Sequence, residues 1–79
     1  DLWHPMQEEP KLVGEEIIIE TFLDGKRHTI VQKYMVGVKP PPTVEAIRWI
    51  TNWDSFLASI CDDVKMIRWC YFKDLLPKA

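Results

Sequence analysis

Glycine and cysteine are scarce in this 79-residue chain, and a strong charge of either sign is missing. The three glycines, at 14, 25 and 37, stand far apart. No glycine-rich phosphate loop can be assembled from them. Two cysteines, Cys61 and Cys70, are too few for a disulfide framework. Their apolar neighbours mark them as reduced thiols of an intracellular protein, cytoplasmic or nuclear. A zinc site needs four ligands at short paired spacings. The two cysteines and the isolated His4 and His28 do not supply them. No apolar run approaches the roughly 18–20 residues that span a bilayer. No basic segment followed by an apolar one opens the chain as a secretory signal would. The net charge of −2 gives no general pull on nucleic acid or on an anionic membrane, so no membrane partner is expected.

Catalytic groups are equally thin. A Cys–His nucleophile pair would need His28 beside Cys61 or Cys70, and nothing in their spacing brings them together. Asp62 and Asp63 are adjacent, and adjacent carboxylates on a helix or strand point different ways. They read as a polar turn. With no pattern of nucleophile, base and orienting group, the chain reads as non-enzymatic. No catalytic residue, metal ligand or cofactor is assigned.

Rings are what the chain does have. Four Trp, three Phe and two Tyr are many for one small domain. Aromatic side chains bury large areas, and they are also enriched at interfaces. Hydrophobic residues at 47% and charged residues at 28% fit a globular domain. The charge is uneven. Residues 1–16 carry five acids against Lys11, whereas residues 17–79 carry seven acids and nine bases.

Residues 1–14 show no sustained period, and Pro5 and Pro10 favour extended backbone before them. They read as an N-terminal arm, followed by one α+β domain over 15–79. Ile17-Ile18-Ile19-Glu20-Thr21-Phe22-Leu23 and Lys26–Val36 flank Asp24-Gly25, the strongest short hairpin signal. A two-residue loop sets Leu23 opposite Lys26 and Ile19 opposite Ile30. Ile17, Ile19 and Ile30 then share one face, and Ile18, Phe22 and Val31 the other. Pro40-Pro41-Pro42 is a stiff spacer. Thr43 stands where an N-cap belongs. Ala46, Trp49, Ile50, Trp53, Phe56, Leu57 and Ile60 recur at spacings of three and four, which predicts one long amphipathic helix from Val44 to about Ile60. Residues 64–73 alternate as a third strand would, although Val64, Ile67, Tyr71 and Leu75 would also line a helix. Composition favours the strand.

The expected fold class is therefore α+β: a small hairpin sheet with one long helix packed on it and a third strand, in ββαβ order. This order resembles the opening half of a ubiquitin-like β-grasp fold, in element order alone. Aromatic content beyond the needs of one small core, with a wide helix stripe, points to a protein–protein interaction or assembly module. The partner is another protein chain or a second copy of this one, met by an aromatic helix face or by a sheet edge. Trp49, Trp53, Phe56, Arg48, Arg68 and Trp69 are the candidate contact residues. The alternative is a small nucleic-acid-binding module, in which the Arg48-Trp49 and Arg68-Trp69 pairs and Lys26-Arg27 stack and neutralise a strand.

Overall fold

Asp24 (φ 52°) and Gly25 (φ 71°) both adopt left-handed backbone, the geometry that a two-residue type I′ turn demands. They join strands β2 (Glu16–Leu23) and β3 (Lys26–Tyr34) in an antiparallel hairpin that sets Leu23 opposite Lys26 and Ile19 opposite Ile30. The structure, a computed structural model, describes residues 1–77. Strand β5 (Lys65–Tyr71) pairs antiparallel with the other side of β2. Glu20 faces Arg68 but Thr21 faces Met66, so Ile67 is an extra residue on β5. Such a bulge bends its strand and raises the local twist. Two short edge strands complete the sheet. These are β1 (His4–Pro5), antiparallel to β5, and β4 (Trp49–Ile50), parallel to β3. The order β1-β5-β2-β3-β4 forms a curled half-barrel.

The expected long helix packed on a hairpin is not what forms. Within Val44 to Ile60 the chain makes a 3-10 turn (Val44–Arg48), strand β4 and then a short helix, α1 (Trp53–Ser59). Two local reasons account for this. Asn52 is extended and its side chain accepts the amide of Ser55 at 2.9 Å, so it caps a helix that begins after it. Trp49 and Ile50, residue types that suit strands, find main-chain partners on β3, with the Met35 amide 2.8 Å from the Ile50 carbonyl. The residues of the supposed stripe are still the more buried ones. Those that reach the core, Ile50, Trp53, Phe56 and Leu57, come from two different elements. Thr43 makes no capping bond with its side chain.

The concave face holds the core. Ile17 and Ile19 of β2 lie against Tyr71 and Trp69 of β5, and Tyr34, Ile50, Trp53 and Met6 close over them. Trp69 packs edge-on to Trp53 and Tyr71, with ring centres 6.4 and 5.0 Å apart. Edge-to-face packing of this kind adds to the area buried.

Residues 1–12 run across the mouth of this concave face, and the core rings hold their backbone. The indole N–H of Trp53 donates to the Met6 carbonyl at 3.2 Å, and that of Trp69 donates to the Glu8 carbonyl at 2.8 Å. The Tyr71 hydroxyl accepts the amides of Lys11 and Leu12. The Tyr34 hydroxyl donates to the Glu9 carboxylate. His4 stacks on Trp69 at 4.3 Å and its Nδ1 lies 2.8 Å from Glu8. Buried N–H and O–H groups need partners, and here the arm supplies them. Burial, then the Glu9 hydrogen bond and charge, push the Tyr34 hydroxyl well above its ordinary pKa.

Candidate interaction surface

The hairpin register decides which peptide groups of β3 are spoken for. In a two-residue hairpin the flanking residues exchange both ladder bonds, and the pattern then repeats every second residue. Lys26, His28, Ile30 and Gln32 thus turn their N–H and C=O toward β2. Arg27, Thr29, Val31 and Lys33 turn theirs outward. On the outward side, β4 pairs only with Lys33 and Tyr34. Among the described residues no strand pairs with Arg27–Gln32 there, because the chain before Trp49 lifts away as the 3-10 turn. The result is an open edge five to six residues long in the middle of the molecule's longest strand.

The 3-10 turn that leaves this edge carries the two most exposed large apolar side chains among the described residues, and of these Ile47 lines the space beside β3. Val44 is 82% and Ile47 78% exposed. On one side of Ile47, a groove of about 400 Å³ is lined by Ile30, Ile50, Phe56 and Ile60, with polar Asn52 and Ser55. On the other, a cleft of about 420 Å³ runs between Thr29, Val31, Ile47 and Arg48. Four cations border the edge: Lys26, Arg27, Lys33 and Arg48. Only Arg27 among them has an ion-pair partner within the described residues, Glu20 at 3.5 Å, and its side chain stays 63% exposed.

The six candidate contact residues are not brought together. Trp53 and Trp69 are core residues, 4% and 1% exposed. Phe56 is half-buried and packs on the core, with its outer side in the groove. Trp49 is half-buried on β4, its ring centre 6.0 Å from the Lys33 ammonium. Arg48 is exposed beside the second cleft. Arg68 lies on the convex face, bonded to Glu20 at 3.2 Å and stacked 4.2 Å from the Trp3 ring centre. Glu20, buried between Arg68 and Arg27, bonds Arg68 at 3.2 Å and pairs more loosely with Arg27 at 3.5 Å. These cations already cover the outer rings on which bases would stack.

Val31 and Thr29 were legible as hairpin residues, but their open edge was not. That edge exists only because Val44–Arg48 fails to continue as a strand. Ile47 and Val44 fell outside the helical stripe, and that was the available signal. An apolar residue off the stripe has no place in the core.

The remaining reactive groups are dispersed. Cys61 is exposed and Cys70 fully buried. Burial, and then the nearby Asp74 carboxylate, push the Cys70 thiol above its ordinary pKa. Among the described residues no group of three or more His, Cys, Asp and Glu is placed to hold a metal ion, and no helix is long and apolar enough to cross a membrane. Compared with protein-family models, curated proteins and solved structures, the chain matches none.

Proposed function

We propose that this chain is a non-enzymatic protein-interaction module that takes up an extended segment of another protein along the outer edge of β3. The observation that carries this reading is the unpaired edge at Arg27, Thr29 and Val31, lying beside the exposed Ile47. Added strands gain affinity from main-chain hydrogen bonds and selectivity from alternate side-chain pockets. Both components are present here: outward peptide groups on β3, and a groove and a cleft on its two faces. Exposed edges are ordinarily blunted by charge, proline, a bulge or brevity, and the cations of this strand stand at its two ends, with no charged residue from Thr29 to Gln32. This one has no proline, and the bulge of the sheet lies on β5. An aromatic helix face is less well supported, since Trp53 is spent in the core.

Selection from a library of random linear peptides tests the reading. Peptides enriched on the wild-type chain should lose binding to Thr29→Pro. This change removes one outward N–H at an exposed edge position, where proline is tolerated. Enrichment no greater than on an unrelated protein, or binding that Thr29→Pro leaves intact, refutes it.

A further inference from the structure

The free edge also carries information about the charge of its occupant. Resting on the strand-uptake reading above, we infer that the partner is an extended strand in which acidic residues alternate with apolar ones. A strand laid on β3 directs every second side chain to the convex face, beside Arg27, Thr29, Val31 and Lys33. The intervening side chains turn to the concave face, beside Ile30 and the groove lined by Ile47, Ile50, Phe56 and Ile60. The convex row ends on a cation at either side, Arg27 and Lys33, with Arg48 across the cleft, whereas Lys26 beside the turn lies on the same side as Ile30. Lys26, Lys33 and Arg48 have no ion-pair partner among the described residues, and Arg27 holds Glu20 only at 3.5 Å. The concave lining contains no charged residue at all. An alternating acidic and apolar strand therefore meets cations on one face and, on the other, an uncharged groove whose isoleucines and Phe56 are interspersed with Gln32, Thr51, Asn52, Ser55 and Ser59.

The same charges argue against a second copy as the occupant. Two β3 edges laid side by side would bring Arg27 and Lys33 of both chains together on the convex face. Like charges facing each other across strands are destabilising. A strand rich in lysine is disfavoured for the same reason.

The probe is a capped seven-residue peptide alternating glutamate and valine, compared with the same peptide carrying lysine in place of glutamate. Binding is read by amide hydrogen exchange and by the salt dependence of affinity. The glutamate peptide should slow exchange at the Arg27, Thr29 and Val31 amides and bind about tenfold more tightly than the lysine peptide at low salt, a gap that closes as salt rises. The charge-reversed double variant Arg27→Glu/Lys33→Glu should invert the preference. If both peptides protect these amides equally and the variant inverts nothing, the acidic-partner inference fails while strand uptake stands. If neither peptide protects them at any concentration, strand uptake itself fails. Protection of the same three amides without peptide, together with a mass that grows with concentration, overturns the inference in favour of self-pairing.

Discussion

Replacing Trp53 tests how the core and the arm depend on one another. The side chain is 4% exposed and touches Tyr34, Phe56 and Trp69, with ring centres 5.7 to 6.4 Å away. A buried indole removes roughly 150–250 Å² from water, worth about 4–6 kcal/mol at ~25 cal/mol per Å². Large-to-small replacements of aromatic core residues cost about 3–5 kcal/mol. A domain of this length is stable by only about 4–12 kcal/mol. Trp53→Ala therefore removes about a quarter or more of the total. Trp53→Phe keeps most of the area but removes the N–H that satisfies the Met6 carbonyl, a loss of about 1–2 kcal/mol. Urea unfolding followed by far-ultraviolet circular dichroism measures both. At a slope of about 1–1.5 kcal/mol per M, the midpoint should fall by roughly 2–5 M for Trp53→Ala and by roughly 0.7–2 M for Trp53→Phe. The phenylalanine variant should also expose Lys11 to trypsin, because the arm has lost one of its ties. If both midpoints stay within about 0.3 M of wild type, Trp53 is not the centre of this core and the reasoning is wrong.

Two further outcomes follow from the titratable groups. The Tyr34 hydroxyl sits above its ordinary value of 10.0 in the folded chain. Below that pH it is protonated whether folded or not, and its bond to Glu9 contributes in full. Above it the unfolded chain loses the proton first, so folding stability falls as pH rises, by up to about 1.4 kcal/mol per pH unit. The stability difference between wild type and Tyr34→Phe, measured by urea unfolding at about pH 9, 10 and 11, should shrink over that range; a constant difference contradicts the assignment. In the native protein a disulfide reagent should label exposed Cys61 promptly and buried Cys70 only on unfolding. Equal labelling rates would contradict the placement of Cys70 in the sheet.

The hairpin was legible because its signal is local. Asp24-Gly25 takes up left-handed backbone that few other pairs accept, and the turn alone fixes the register of β2 on β3. The strand over 65–71 was likewise written in alternation. The 44–60 segment misled because Trp49 and Ile50 satisfy a helical period and a strand equally well. What decides between them is the unpaired end of β3, some fifteen residues upstream. Asn52 held the local clue. It reads as one more polar residue on the far side of a helix, yet its side chain is the cap that starts α1. The candidate surface was less accessible still. Arg68 and Arg48 look alike in sequence, but one is neutralised by Glu20 and the other is open. The ties between rings and arm join residues 25 to 61 positions apart, beyond the reach of any local pattern.

Those long-range ties also set the order of events when the chain is made. Met6, Glu8 and Lys11 emerge early, but the groups that hold them, on Trp53, Trp69 and Tyr71, emerge last. At the pace of translation the hairpin can form alone for seconds, with Ile17 and Ile19 uncovered. Consolidation waits for β5 to slot between the first strand and β2, so closure is a late and cooperative step rather than a gradual accretion. A nascent chain stalled before residue 65 would display a sticky apolar hairpin to whatever chaperone is at hand.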